Sequence, residues 1–280
     1  MQANEGFIEA NGLRLHDLVW PGPDSAAAPI LLLHATGFLA HLWQPVAEKL
    51  ATGRSAYAYD SRGHGDSDKP ESRYHWQRFV DDLAAFMEKC DLRSIPVAGH
   101  SAGAAAAACL AAERPEYISR LVLIEPIIRH GEQLPSREVG DLVSAARRRR
   151  MVWGSREELV ESYRDRPPFS RWREDVLRLY AKEGTFQRED GQFQLKCPGE
   201  IEAQIYENSA SLDVWEALPR IACPTLLLRG ELTDAYLTAI AEGASQRIPD
   251  ACLAVIEGAG HLAPMERPDA VADDIAGFLR

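Results

Sequence analysis

The stretch Gly99-His100-Ser101-Ala102-Gly103 places a serine hydroxyl between two glycines at minus two and plus two. That spacing suits a sharp strand-to-helix turn that lifts the hydroxyl clear of the backbone as a nucleophile. Glycine at both positions removes Cβ atoms that would collide in so tight a turn. A serine hydroxyl is a weak nucleophile and needs a base within hydrogen-bond reach. His261 supplies one: Gly258-Ala259-Gly260-His261 follows the apolar run 252–256. The third partner must orient the imidazole and stabilise its charged form. Asp234, after the run 225–228, gives the chain order Ser, Asp, His and is the expected acid. Glu125, directly after the run 121–124, is the alternative acid or else a pocket wall. Pro126 behind it is expected to hold it extended. Acyl transfer also needs two N–H donors for the developing oxyanion. Ala102, after the nucleophile, and Thr36, in the loop 34–38, are the candidates.

These residues need a scaffold that brings strand ends to one edge. Short apolar runs at 30–33, 56–59, 95–98, 121–124, 225–228 and 252–256 lack polar alternation, as strands covered on both faces do. Helical spacing recurs between them: Leu83, Phe86 and Met87, then Val271, Ile275 and Phe278. Strand–helix alternation predicts an α/β fold, a mostly parallel doubly wound sheet. Ahead of it, Asn11-Gly12 predicts a two-residue hairpin turn. The alternation breaks at 127–212, where 147–151, 155–163 and 171–182 read as amphipathic helices and no buried strand is evident. Domain organisation is therefore expected as a core of 1–126 and 213–280 with a helical cap inserted at 127–212. Trp153, Phe169, Trp172 and Tyr180 are expected to divide between cap core and pocket wall. Arg147 to Arg150 read as a solvated helix face.

The 280 residues carry a net charge of −11, which argues against non-specific nucleic-acid binding. Residues 127–212 hold 15 Lys/Arg against 15 Asp/Glu, so the whole excess lies outside the inserted stretch. Five scattered cysteines without a C-x-x-C pair suit free thiols rather than a disulfide framework. No apolar run approaches the length of a membrane span. The expectation is a cytoplasmic protein that takes a small-molecule substrate, with no nucleic acid or membrane as partner. No metal-ligand spacing and no glycine-rich phosphate loop occurs, and no cofactor is expected. His64 reads as a structural turn residue, and His100 as pointing away from the site.

The stretch 34–43, Asp60-Ser61-Arg62-Gly63-His64-Gly65-Asp66-Ser67, the turn at 99–103, and the segments 224–234 and 258–264 together resemble the α/β-hydrolase superfamily over nearly the full chain. Within it, the resemblance is to cap-bearing esterases, carbon–carbon hydrolases and perhydrolase-like enzymes. It implies Ser101, Asp234 and His261 as the triad, with Thr36 and Ala102 as oxyanion donors. The usual His-Gly of the oxyanion loop is His34-Ala35 here. Dehalogenating and epoxide-opening relatives carry aspartate where this chain has Ser101, which argues against both chemistries. The expected activity is hydrolysis of a small-molecule carboxylic ester through an acyl-enzyme. Cleavage of a carbon–carbon bond, amide or lactone by the same triad is the alternative. A small-molecule receptor of the same fold is the alternative from another class.

Overall fold

The computed structural model describes residues 2–23, 27–72, 74–129 and 136–280. The chain opens with β1 (Asn4–Ala10) and β2 (Leu13–Trp20), joined at Asn11-Gly12 with φ of 50° and 72°. Two successive left-handed residues give the turn whose twist matches a hairpin, as the sequence predicts. Then follow β3 (Ile30–Leu33), α1 (Gln44–Leu50), β4 (Ala56–Tyr59), α2 (Gln77–Lys89), β5 (Ile95–His100), α3 (Ala102–Glu113) and β6 (Ile118–Ile124). The chain leaves the sheet there for α4 (Ser136–Arg148), β7 (Val152–Trp153), α5 (Arg156–Arg164), α6 (Glu174–Glu183), β8 (Thr185–Gln187), β9 (Phe193–Leu195) and α7 (Gly199–Glu207). It returns through α8 (Val214–Ala217) to β10 (Thr225–Gly230), α9 (Ala235–Arg247), β11 (Ala251–Ile256), α10 (Ala263–Glu266) and α11 (Pro268–Phe278).

Eight strands form one sheet in the order β1-β2-β4-β3-β5-β6-β10-β11. The ladders β1–β2 and β2–β4 are antiparallel, and the rest are parallel. The parallel strands are apolar at successive positions because both faces are covered. Leu31 and Leu33, like Leu121 and Leu123, pack into a core with α2 and α3. Their neighbours Ile30, Leu32, Val122 and Ile124 pack into a second core with α1 and α11. A period of two thus sends alternate residues of one strand to opposite layers. α3 is apolar around its whole circumference, as a helix enclosed by the sheet and its neighbours must be. Among the described residues, no helix is long and apolar enough to cross a membrane.

The span 127–212 differs from its expected all-helical form. β7, β9 and β8 make a small antiparallel sheet, too short at two or three residues each to leave an apolar run. The helix expected at 147–151 also ends early, at Arg148. Arg149 pairs with buried Glu202 of α7 at 2.7 Å, and the chain then extends into β7. Trp153, Phe169, Trp172 and Tyr180 all join an aromatic core with Phe38 and Tyr163, and Trp153 and Phe169 in addition face the cavity described below.

One buried ion pair ties the hairpin side of the sheet to α2. Arg62 donates to Asp82 through Nε and Nη2, both at 2.6 Å, and Asn11 donates to the same carboxylate at 2.8 Å. Removing one partner leaves a buried charge uncompensated, which typically costs about 3–5 kcal/mol. Asp82→Ala is expected to lose stability of that size in urea unfolding. A loss below about 1 kcal/mol, the value of an exposed pair, would show that the site rehydrates.

Candidate active site

β5 ends in the turn that carries Ser101, whose φ of 56° and ψ of −115° lie in the left-handed half of backbone space. Such strain persists only where the surroundings over-determine it. Here the Ser101 N–H donates to Ile124 O at 2.9 Å, and α3 begins at the next residue. A Cβ on Gly99 would sit 2.5 Å from Gly103 O, and one on Gly103 would sit 2.7 Å from Leu33 O and His34 O. Both glycines are therefore obligatory for the turn.

His261 follows β11, on the loop before α10, and its Nε2 lies 3.2 Å from Ser101 Oγ. On its other side, Nδ1 lies 3.1 Å from Glu125 Oε2. Glu125 is buried, and its second oxygen accepts from Gly230 N–H at 2.6 Å and the Thr233 hydroxyl at 2.5 Å. The carboxylate is thus fixed by two donors from the loop after β10, and its free oxygen is presented to the imidazole.

Asp234, the expected acid, is not there. Its carboxylate accepts the Leu237 N–H at 2.9 Å as the N-cap of α9, and the residue is exposed on the cavity rim. The turn at 230–233 carries the chain past His261 before Asp234 is reached. Glu125 also departs from its expected extended form. With φ of 47° it turns sharply at the end of β6, which aims the side chain along the sheet edge between β6 and β10.

Thr36 and Ala102 both line the same cavity as Ser101 and His261. Ala102 opens α3, so its N–H has no carbonyl within the helix to meet. The loop of Thr36 is held by two buried histidines outside the expected set of site residues. His34 donates from Nδ1 to Ala35 O at 2.8 Å and accepts Ser61 N–H on Nε2 at 2.9 Å. His64 donates from Nδ1 to Arg62 O and accepts Gly37 N–H on Nε2, both at 2.9 Å. His100, the residue before Ser101, donates from Nε2 to the His261 carbonyl at 2.8 Å and so anchors the histidine loop. The signal for His64 was present in Arg62-Gly63-His64-Gly65, but only the fold shows which loop it holds.

Burial pushes His34 below the ordinary imidazole range, and pushes His64 and His100 down to about 3. Each ring binds a proton less readily folded than unfolded. The unfolded chain therefore takes up more protons from the reference value of 6.5 downward, and stability is lost as pH falls through that window. The slope is about 1.4 kcal/mol per pH unit for each such ring. Melting temperatures measured from pH 7 to pH 4 are expected to fall steeply, and a flat profile would contradict neutral, loop-anchoring roles for His64 and His100.

The cavity has a volume of about 820 Å³, within the usual range for small-molecule sites. Its wall combines the strand-end loops with residues of α4, β7, α5 and α7, among them Ala146, Trp153, Tyr163 and Tyr206. Among the described residues, one group could hold a metal by proximity: His16, Asp60 and Asp66. Its donors are already engaged. Asp60 accepts from His16 Nδ1, Ala40 N–H and Asp66 N–H, and so braces the loop after β4.

A serine, an imidazole and a buried carboxylate thus stand in line at the C-terminal edge of this sheet. A model of the alpha/beta hydrolase family matches residues 30–274, and the chain belongs to that family. It is 26% identical over 264 residues to 2-(acetamidomethylene)succinate hydrolase of Mesorhizobium japonicum, covering 91% of this chain and 90% of that protein. It is 27% identical over 279 residues to N-formylmaleamate deformylase of Pseudomonas putida, covering 98% and 93%. The crystal structure of E-2-(acetamidomethylene)succinate hydrolase superposes with a TM-score of 0.85 at 22% identity, over 99% of both chains, a likeness of fold.

Proposed function

We propose that this chain hydrolyses a small-molecule carboxylic ester through a covalent acyl-enzyme on Ser101. The observation that carries the reading is the hydrogen-bonded line from Ser101 Oγ through His261 to Glu125, opening into the cavity. His261 Nε2 takes the Ser101 proton as Oγ attacks the acyl carbon, while Glu125 holds Nδ1–H and stabilises the imidazolium. The Thr36 and Ala102 N–H groups receive the oxyanion. The intermediate collapses, His261 returns its proton to the leaving alkoxide, and the alcohol departs. Water, deprotonated by the same nitrogen, then releases the acid and restores Ser101. In this reading the span 127–212 is a cap that closes the pocket and sets specificity, and no cofactor or metal takes part.

The names of the relatives favour a second reading, in which the same residues cleave an acyl carbon–nitrogen or carbon–carbon bond. One relative removes a formyl group by name, and another hydrolyses an acetamido compound by name. In either case acyl transfer to Ser101 is the first step. The test is stoichiometric labelling by a fluorophosphonate, located by mass spectrometry, beside turnover of esters, amides and vinylogous diketones. Label on Ser101 with steady turnover is expected. No label, or label on another residue with activity retained, would overturn both readings.

A further inference from the structure

The cavity wall carries five arginines, and three of them are neutralised in place. Arg149 pairs with Glu202, Arg150 with Glu158, and Arg171 with Glu266. Arg129 is different. Its Nη2 donates to Ser209 Oγ at 2.6 Å, and among the described residues no carboxylate meets it. Its Nε–H is shut off from solvent and has no acceptor there either. A guanidinium stays charged in a protein, and a buried charged donor left unpaired is costly. Ser209 is itself buried and spends its own proton on Tyr206 O at 2.6 Å, so its oxygen is fixed as an acceptor for Arg129. The guanidinium is thus held in one orientation before any ligand arrives.

Its distance from the chemistry is bounded by the chain. The Ile127 N–H donates to Ser101 O at 3.4 Å, and Arg129 is two residues further on, at most about 7 Å of backbone. A small molecule acylating Ser101 can therefore reach it with a second functional group.

We infer that Arg129, positioned by Ser209, anchors an ionised carboxylate of the substrate, so that this chain acts on acyl compounds bearing a second, free carboxyl group. The inference rests on the acyl-transfer reading above and narrows it to an anionic substrate class. A carboxylate entering the cavity supplies the counter-charge that the guanidinium lacks, at the part of the guanidinium that lines the wall. Arg166, on the exposed rim and also without a carboxylate partner among the described residues, adds positive charge at the mouth.

The test compares monoethyl esters of succinate, glutarate and adipate with neutral ethyl esters of the matching monocarboxylic acids. The ratio of kcat/KM, anionic over neutral, is expected to favour the hemi-esters by about 10- to 100-fold at the best chain length. Arg129→Gln is expected to remove most of that ratio, chiefly through KM, and Arg129→Lys to restore part of it. A ratio near one in the native chain, or a ratio unchanged in a folded Arg129→Gln, overturns the inference. Glutarate binding to Ser101→Ala, read as a thermal shift with and without Arg129→Gln, separates the two layers. Arg129-dependent stabilisation by glutarate without hydrolysis of any ester would uphold the anion site and sink the esterase reading. Hydrolysis of neutral esters, with no Arg129-dependent gain for hemi-esters or glutarate, would do the reverse.

Discussion

Ser101→Ala is expected to reduce kcat on any accepted ester by on the order of 10⁴-fold or more, the loss that follows removal of a triad member that acts as part of a unit. The fold should survive. Ser101 Oγ hydrogen-bonds only to His261 among the described residues, whereas its backbone N–H and carbonyl hold the turn through Ile124, Ala105 and Ile127. Alanine at φ of 56° is as disfavoured as serine, so the substitution neither adds nor relieves backbone strain. The melting temperature should therefore stay close to that of the native chain. A purified Ser101→Ala with native melting and near-native turnover would remove the nucleophile from the mechanism, and with it the acyl-enzyme.

The sequence reads well where structure is dictated locally. The run Ile30–Leu33 and the run Ala56–Tyr59 are strands over those same residues, because a strand buried on both faces leaves a continuous apolar signature bounded by turn residues. The serine turn is legible for a steric reason: only glycine fits at 99 and 103, and both contacts that forbid a Cβ are with backbone. His261 is legible because it follows the last strand at the edge where sites are built. The small sheet of β7, β9 and β8 is not, since Val152–Trp153 is too short to show a period. The arginines at 147, 149 and 150 look alike in sequence, yet Arg149 meets a buried glutamate whereas Arg147 and Arg150 pair at the surface. Which partner each finds depends on how the chain folds back: Glu158 of α5 lies 8 residues from Arg150, whereas Glu202 of α7 lies 53 residues from Arg149. Nothing local in the sequence encodes that.

That Glu125, and not the expected Asp234, meets His261 is hidden in the sequence for a related reason. Chain order suggests that the loop after β10 precedes the histidine loop and so supplies its partner. In the sheet, β6 lies directly beside β10, and their ends share one edge. Glu125 crosses from one strand end to the other through a single residue with φ of 47°, a conformation that the following proline does not announce. The loop after β10 still takes part, with Gly230 N–H and the Thr233 hydroxyl as donors to Glu125. What it contributes is a cradle for the carboxylate, not the carboxylate itself.

Glu125→Gln and Asp234→Asn are therefore expected to differ by orders of magnitude. In Glu125→Gln the amide must turn its oxygen toward Gly230 N–H and the Thr233 hydroxyl, since both are donors. Its NH₂ then faces His261 Nδ1, which can meet it only as an acceptor. The imidazole proton is forced onto Nε2, the nitrogen that faces Ser101 Oγ, and the base is lost from the side where it is needed. The imidazolium also loses its counter-charge. An expected fall in kcat on the order of 10³- to 10⁴-fold follows, with little change in KM. Asp234→Asn should cost less than about 1 kcal/mol, because asparagine caps the N-terminus of α9 as well as aspartate does, and its side chain has no bond to His261. Its turnover should stay within a few-fold of the native chain. Glu125→Asp supplies a finer reading: the side chain is one methylene shorter, so it cannot keep the Gly230 and Thr233 bonds while reaching Nδ1, and its activity should fall between those of the native chain and Glu125→Gln. Measured as kcat and KM on one ester, with melting temperatures to confirm folding, the reverse order would place the acid at Asp234 and require the loop 230–234 to rearrange when substrate binds.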